Sequence, residues 1–554
     1  MDTTERTASP AMAAVTFQPR TRAAMFGSLC LDIPVYRERT TSTRVGRRTV
    51  HGVWLAWAIA ISGGGLASPS FAENWRFQPT VSVRETWTDN VTLVSSSEAR
   101  SDFVTEVSPS FTVQGRGGRA RIDIDYRPTA LLYARDSRRN DLLNMLNASG
   151  AFEAIERFLF VEARAQITQQ TVSAFGPQPT SNVSDTNNST ETRVFSVSPY
   201  IKGIAGGVAT YEARYQASTT RTQADAGIQG DSRVLSGNLA SITDFASFGW
   251  MVDFRNARYD FRSGQDANTQ FLRGTVIYHF DPELWFFVRG GRESNDYSQE
   301  DRSFNTYGVG MEWAPTGRTR ISAENEKRFF GWGHRYSFRH RTQGVSYSLL
   351  ATKEDTTNLE QLTRISVSSL FERFSDLLSA QFPDPQQRAE QVRQLLTRTG
   401  ISQEPIPQAG FLSSAVQLER RVEGSVALIG ARNTWTFSAY HRNTQPLTFV
   451  NDAITADALA AAEVTELGVL ANLNHRLSAQ DSVSVLASWQ RNRGAGNDPL
   501  ETISRRIELM ATRQLSPSTN GSIGFRTSRF DGGGVTTAND YRENAIFGSV
   551  SHRF

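Results

Sequence analysis

Residues 119–127, RARIDIDYR, decide the fold class, because charged and apolar side chains alternate there without a break. In an extended strand, successive side chains point to opposite faces. One face of this segment would carry only arginine and aspartate, whereas the other would carry Ala120, Ile122, Ile124 and Tyr126. A helix would instead repeat its apolar positions every three or four residues. The segment therefore predicts a β-strand with one charged and one apolar face.

The same alternation returns along the chain, which makes it a property of the whole fold. Further two-faced stretches are residues 159–167, 211–217, 435–441, 467–475 and 483–489. A soluble β-sandwich with one wet face is the alternative interpretation. We disfavour it because no set of strands has the apolar pattern of a second sheet buried on both sides, and because the polar face repeatedly carries arginine and aspartate.

The spacing of turns and loops refines the architecture. Short connections such as 115–118 alternate along the chain with longer ones such as 172–190 and 355–412. Outer-membrane barrels have an even number of antiparallel strands, tight periplasmic turns and longer outer loops. We therefore predict an all-β fold, a transmembrane antiparallel outer-membrane β-barrel of about 22 strands. Two ambiguous hairpins, at 332–354 and 411–445, leave a range of roughly 20 to 24 strands.

The N-terminal region is organised like a secretory signal. Arginines precede the apolar run 53–61, and small residues follow up to Ala72, where a signal peptidase would cut. We therefore expect residues 1–72 to be a leader and residues 73–554 to form a single barrel. The leader is rich in arginine, so the formal net charge of +3 belongs largely to it, and it also holds the only cysteine, Cys30.

Composition excludes two other classes of protein. Apolar residues make up 39% of the 554 residues, and the 41 glycines bring the chain into the usual range of folded proteins. No stretch reaches the roughly 18 consecutive apolar residues that a membrane-spanning helix needs. Wholesale disorder and a helical membrane protein are therefore both disfavoured.

The end of the chain has the pattern of an assembly signal. Ile546, Gly548, Val550 and His552 fall on one strand face, and the chain closes on Phe554. A terminal aromatic residue on such a strand resembles the signal of substrates of the outer-membrane barrel assembly machinery. We therefore expect that machinery, together with outer-membrane lipid and lipopolysaccharide, among the partners of the chain.

The polar strand face is the candidate lining of a pore, because a charged side chain on the lipid side of a barrel is costly. Basic and acidic residues alternate on this face, so the sequence does not indicate a strong charge selectivity. The predicted pore-lining residues are Arg119, Arg121, Asp123, Asp125, Glu162, Arg164, Glu212 and Arg214.

One outer connection, residues 355–412, departs from the strand pattern. Ser369 and Glu372 have the spacing of a capping box before an apolar stripe, which predicts a first helix. A second helix is predicted to begin at Asp384 and end at Gly400. The two helices would form either a hairpin that rests on the barrel rim or a lid folded into the pore. A shorter helix is possible at 457–463.

Motifs for chemistry are scarce. The histidines of the mature chain are scattered without the spacing of a metal site, and no nucleotide-binding or nucleophile motif stands between a strand and a helix. The acidic stretch from Glu293 to Asp301 lacks the ligand spacing of a cation-binding loop. We therefore predict no catalytic residues, no cofactor, no metal and no nucleic-acid partner.

Several segments resemble one known family. They are residues 85–91 (ETWTDNV), 313–319 (WAPTGRT) and 326–331 (EKRFFG), followed by His340, Arg341, Thr342 and Tyr347. Together they resemble the outer-membrane β-barrel proteins associated with the PEP-CTERM/exosortase system, over most of residues 73–554. The resemblance implies a Gram-negative outer-membrane location and a context of exopolysaccharide and protein sorting, and it implies no reaction.

The same segments also have structural interpretations. Phe329, Phe330 and Trp332, close to a strand end, would suit an interfacial aromatic belt, and Arg328 could anchor to lipid phosphates beside them. The leading functional hypothesis is an outer-membrane channel or accessory barrel for the export of polysaccharide or of sorted proteins. The alternatives are a general diffusion porin for small solutes and a structural or adhesive surface barrel.

Overall fold

The computed structural model describes most of the chain from residue 74 onwards. The described residues are 74–223, 228–242, 247–262, 265–297, 303–364, 388, 411–448, 463–495, 500–533 and 540–554. The predicted leader, residues 1–72, lies outside the described residues. So do the two helices predicted between 369 and 400, except for residue 388, and nearly all of the possible helix at 457–463. These expectations therefore stay predictions.

The described residues form a closed antiparallel β-barrel of 22 strands, which confirms the fold class and the strand number predicted from the sequence. Each strand pairs with the next, and the last strand closes the barrel on the first, with Val83 opposite Val550. The strands are β1 Asn74–Thr88, β2 Asp102–Arg116, β3 Ala120–Tyr133, β4 Asp141–Ile155, β5 Leu159–Thr171, β6 Ser189–Ala205, β7 Ala209–Thr222, β8 Gly230–Ser241, β9 Phe248–Phe261, β10 Ala267–His279, β11 Leu284–Asn295, β12 Ser303–Thr316, β13 Thr319–Arg328, β14 Gly331–Arg341, β15 Val345–Thr357, β16 Val416–Ile429, β17 Asn433–Pro446, β18 Val464–Arg476, β19 Asp481–Gly494, β20 Glu501–Ser516, β21 Thr519–Gly533 and β22 Tyr541–Arg553.

Helical structure is minor in the described residues. A 3-10 turn, Ser137–Arg139, follows β3, and a short helix, α1 Asn358–Arg364, follows β15. Among the residues that the structure describes, no helix has the length and apolar character needed to cross a membrane.

The two faces of the sheet differ in chemistry as the alternation requires. On β2, Phe103 is 50% exposed on the outside of the barrel, whereas Glu106 on the other face is 5% exposed. The exposed large apolar side chains continue around the outside, for example Leu272 on β10 and Val309 on β12. An apolar exterior and a polar interior are the arrangement of a barrel that stands in lipid.

The connections give the barrel two different ends. At one end, here called the turn end, neighbouring strands are joined by short turns such as 117–119 and 517–518. At the other, the loop end, most connections are longer, and the longest described without a gap is 172–188. The hairpin of β13 and β14 is an exception, since Phe329 and Phe330 alone join its strands at the loop end.

Buried apolar side chains collect inside the barrel near the loop end. One cluster joins Ala257 and Tyr259 of β9 to Leu359 and Leu362 of α1 and to Leu412. A hydrophobic core inside a polar-lined barrel means that the connections of the loop end fold into the interior. This inward folding determines the geometry of the candidate site.

Candidate functional site

The helix α1 begins inside the barrel and not on its rim. The backbone N–H of Glu360 donates to the hydroxyl of Thr357, 3.1 Å away, which caps the first turn. Leu359 and Leu362 are both buried against the inner wall. The Thr357-x-x-Glu360 spacing of a capping box is therefore the sequence signal for this helix, which lies before the helix predicted at Ser369.

Contacts of α1 reach strands remote from its own. The carboxylate of Glu360 accepts hydrogen bonds from Arg255 at 2.7 Å and from the hydroxyl of Tyr259 at 2.9 Å, both on β9. Leu359 lies so close to Gly230 of β8 that a Cβ at position 230 would stand 2.9 Å from the Leu359 Cδ1 atom. The same Cβ would stand 2.8 Å from the backbone carbonyl oxygen of Asp260, so a glycine is needed at the point where the helix meets the wall.

The opposite side of α1 is held by strands β16 and β17. The amide of Gln361 donates to Glu419 at 3.1 Å, and Arg442 lies 2.6 Å from the same carboxylate. Hydrogen bonds on both sides let α1 bridge from β16 to β9 across the interior.

Residues 172–188, between β5 and β6, form a second inward-folded segment. The side chain of Asn188 accepts from the backbone N–H of Ser173 at 2.8 Å and donates to the carbonyl oxygens of Ser173 and Pro177. These local bonds give the connection a fixed shape of its own. Its length predicts an ordinary long outer loop, and nothing in its composition signals an inward path.

This segment is bonded to strands that are not its neighbours in the barrel. Thr180 donates to Glu543 of β22 at 2.8 Å, and the Tyr541 hydroxyl donates to the carbonyl of Gln178 at 2.7 Å. Asn492 of β19 donates to the carbonyl of Ala174. The segment therefore crosses the interior from β5 to the strands near the chain end.

The two inward connections meet. Phe175 and Phe411 belong to one buried apolar cluster, together with Val464 of β18. We call residues 172–188 the first lumen segment, and residues 358–364 with 411–415 the second lumen segment. Together they narrow the interior at the loop end.

Buried ion pairs lie where these segments join the wall. Arg526 and Glu543 are 2.9 Å apart, with side chains only 3% and 1% exposed. Arg328 pairs with Glu293 and lies 2.6 Å from Asp355. Removing one partner of a buried pair leaves an uncompensated charge, which costs about 3–5 kcal/mol. Such pairs therefore fix the arrangement of the interior more than they add net stability.

A cavity of about 230 Å³ lies beside α1 within the lumen. It brings together three of the predicted pore-lining residues and groups of α1 and β9. The lining residues are Glu162, Arg164, Ser196, Ser198, Arg214, Gln216, Ser232, Val234, Arg255, Tyr259, Glu360 and Thr363.

Arg214 organises the charges at this cavity. Its guanidinium lies 3.0 Å from both Glu162 and Glu212, and it stacks 3.9 Å above the ring centre of Tyr200. Arg164 is held less firmly, since its nearest carboxylate oxygen, on Glu162, is 4.0 Å away. The cavity therefore offers hydroxyls, an aromatic face and an accessible guanidinium to a polar molecule.

Glu212, a fourth predicted residue, is bound to Arg214 beside the cavity, and the other four lie near the turn end, away from it. Arg119 pairs with Glu156 at 3.2 Å, Arg121 pairs with Asp123 at 3.1 Å, and Asp125 accepts from Thr112 at 3.1 Å. All eight residues thus take part in wall contacts, in two separate groups. Their role in lining a conducting pore stays a prediction.

The turn-end mouth contains arginines that face each other across neighbouring strands. Arg116 of β2 stands directly opposite Arg121 of β3, and Arg320 of β13 stands directly opposite Arg339 of β14. The strand register that brings these arginines together cannot be seen in a local alternation pattern.

The predicted aromatic belt is only partly compatible with the structure. Trp332 is 50% exposed on the outside of β14. Phe329, by contrast, packs against the rings of Tyr297 and Phe304, so its assignment to the belt was wrong. Phe330, next to it, lies edge-on to the Phe329 ring.

Arg328 was expected beside the belt as an anchor for lipid phosphates, and this was also wrong. Its guanidinium is bound by Glu293 and Asp355 inside the barrel. Tyr297 donates to the same Asp355 at 3.0 Å. Burial, reinforced by the Asp355 and Glu293 carboxylates, raises the pKa of Tyr297 well above its ordinary value, so its hydroxyl stays protonated as a donor.

The last residue lies on the outer face of the barrel. Phe554 is 72% exposed, its ring meets His552 edge-on, and its backbone N–H donates to Pro79 of β1 at 3.0 Å. Its role as an assembly signal stays a prediction.

The described residues contain no group of three or more histidine, cysteine, aspartate or glutamate side chains that could hold a metal ion. Within the acidic stretch, Glu293 is occupied by Arg328. Glu300 and Asp301 lie outside the described residues.

Three solved structures illustrate what the chain is similar to. A double mutant of the ferric enterobactin receptor of Pseudomonas aeruginosa shares 10% identity over 86% of this chain and 80% of its own, with a TM-score of 0.44. The siderophore receptor PirA of Acinetobacter baumannii shares 7% identity over 86% and 80%, with a TM-score of 0.45. Pseudomonas aeruginosa OccK5 shares 10% identity over 87% and 99%, with a TM-score of 0.29. No protein-family model and no curated protein matches the chain. The functional inference therefore depends on the geometry of this chain.

Proposed function

We propose that the protein is an outer-membrane channel for polar solutes whose passage is restricted by the two lumen segments. The apolar exterior suits lipid, and the polar interior suits water and solutes. The observation that carries the proposal is the meeting of the two segments inside the barrel, at Phe175 and Phe411, beside a polar cavity. A purely structural barrel has no need of a shaped polar cavity within its lumen.

The proposal also gives the barrel a direction. Barrels of the outer membrane place their short turns in the periplasm and their long loops outside. The turn end therefore faces the periplasm, and solutes leaving the cell meet the arginine-containing mouth before the lumen segments. A wide barrel without inward loops would leave an aqueous channel, so these segments set the size limit.

The substrate that the channel carries is a separate proposal. The resemblance to the barrels associated with the PEP-CTERM/exosortase system supports a place in exopolysaccharide or sorted-protein export, and it is the sole support for that context. General diffusion of small solutes is the competing function. A channel that admits small sugars of every kind at equal rates would favour the diffusion porin.

The experiment is a comparison of single-channel conductance. Residues 174–187 of the first lumen segment are replaced by a short Gly/Ser linker, and the control replaces the exposed tip 96–98 of the β1–β2 loop in the same way. We expect the first change to raise conductance and the control to leave it unchanged, with both barrels still heat-modifiable in gels. Equal conductance of wild-type and linker barrels would overturn the proposed restriction, and no conductance in either would overturn the channel.

A further inference from the structure

The turn-end mouth holds two pairs of arginines in an unusual arrangement. Arg116 faces Arg121 across β2 and β3, and Arg320 faces Arg339 across β13 and β14. The two hairpins lie half-way round the 22-strand barrel from each other. The mouth therefore has two like-charged pairs on opposite walls.

Like charges directly opposite in a sheet are destabilising. Arg121 and Arg320 are partly compensated by Asp123 at 3.1 Å and Glu312 at 3.2 Å. Within the described parts of the chain, no carboxylate lies within ion-pair distance of Arg116 or Arg339. Each wall thus keeps one guanidinium group without a carboxylate partner among the described residues.

All four side chains belong to the lumen face. Arg116 shares its strand face with the buried Glu106, and Arg320 shares its face with the buried Glu326, because residues two apart point the same way. The side chains of Arg121 and Arg320 are 55% and 60% exposed. Since they face the water-filled side, lipid headgroups do not account for them.

Guanidinium groups bind carboxylates and phosphates through two parallel hydrogen bonds. We propose that the turn-end mouth is an anion-capture site for solutes that carry carboxylate or phosphate groups, and that it concentrates them below the cavity where Arg164 and Arg214 lie. Unpaired guanidinium groups at the entrance raise the local concentration of anions there. This inference rests on the proposed channel function and gives its solute a chemical class.

Binding to the full folded barrel, refolded in zwitterionic detergent, tests the site without requiring conduction. The probes are trigalacturonate, tripolyphosphate and neutral maltotriose, measured by calorimetry. The variant is Arg116→Gln with Arg339→Gln. The matched control is Arg505→Gln with Arg529→Gln, two outward-facing arginines that both pair with Asp531.

We expect the mouth variant to weaken binding of the anionic probes by about tenfold, the size expected for lost charge-assisted hydrogen bonds, and the control to stay near wild type. The stronger of the two anionic probes identifies carboxylate or phosphate as the preferred group. Maltotriose should bind weakly and equally to all proteins. Unchanged binding of both anions in the mouth variant, or no binding to wild type, would overturn the inference.

Reversal potentials in a salt gradient separate this inference from the channel function. If wild type prefers anions and the mouth variant does so less, the result supports both the capture site and the channel. Anion binding by a barrel that never conducts would support the capture site and overturn the channel. Conduction without anion preference, with equal probe binding in variant and wild type, would overturn the capture site and leave the channel.

Discussion

The two ends of the lumen use the same residue types in opposite ways. At the loop end, Arg526 and Glu543 are buried as a pair, and Thr180 of the first lumen segment bonds to that glutamate. At the turn end, Arg116 and Arg121 face each other with their charges exposed to the lumen. Burial decides the difference: a charge removed from water must be paired, whereas an exposed charge tolerates a like neighbour at small cost. The buried pairs of the loop end therefore fix the shape of the interior, whereas the arginines of the turn end present exposed charges to the lumen.

The largest expected loss of stability comes from breaking a buried ion pair. Arg526→Ala should destabilise the barrel by about 3–5 kcal/mol, because Glu543 would remain buried without its partner. Arg529→Ala, on the same strand but pointing outward, removes an exposed pair with Asp531 and should cost at most about 1 kcal/mol. Urea unfolding followed by gel mobility measures both. Equal losses would contradict the assignment of burial as the deciding factor.

The second prediction extends the comparison to the outer surface. Leu272 lies near the middle of β10 and is exposed on the outside. Leu272→Arg should destabilise the barrel in lipid by about 2–4 kcal/mol, since it places a charge against hydrocarbon. Its neighbour Arg273 points inward to Glu326, 2.9 Å away, and shows that arginine is tolerated on that face. Unfolding in phospholipid vesicles gives the measurement, and a neutral effect of the Leu272 change would invert the faces assigned to β10.

The third prediction concerns the attachment of α1. Glu360→Ala removes the bonds to Arg255 and Tyr259, which are worth about 1.5–3 kcal/mol when one partner is charged. We expect open events in single-channel records to become about tenfold more frequent. Glu354→Ala, which removes a half-exposed wall pair with Arg335, is the control and should leave opening unchanged. If both variants behave alike, α1 has no part in gating.

The smallest expected change in stability is a gain. Arg116→Gln relieves the repulsion with Arg121 and should stabilise the barrel by about 0.2–1 kcal/mol. Arg121→Gln relieves the same repulsion but also loses the pair with Asp123, so its gain should be smaller. Denaturant midpoints of the two variants supply the test. A loss of stability in Arg116→Gln would mean that this arginine has a structural partner.

The barrel itself could be predicted from the sequence because its signal is local. In residues 119–127, the alternation of charge and apolar side chains follows directly from the two faces of one strand. The even strand number followed from the regular change between short and long connections. These features depend on neighbours in sequence, and no knowledge of distant contacts was needed.

The candidate site could not be predicted in the same way. The length of 172–188 indicates a long connection, but its direction depends on the hydrogen bonds from Thr180 to Glu543 and from Tyr541 to Gln178, which join residues far apart in sequence. The pairing of Arg320 with Arg339 likewise depends on register, which alternation alone leaves open. Phe329 was misassigned because an aromatic residue near a strand end suits a membrane interface and an inward-facing hairpin equally well.

The most direct test of the central claim is a cross-link between the two lumen segments. Cys30 is the only native cysteine, so a Cys30→Ser background with Phe175→Cys and Phe411→Cys introduces a single defined pair. Because both side chains belong to one buried cluster, a short thiol-reactive bifunctional cross-linker should join the two cysteines within one chain, with reduced labelling by a bulky maleimide added from outside. Free reaction of both cysteines with the maleimide, and no intramolecular cross-link, would contradict a lumen narrowed by segments that meet inside it.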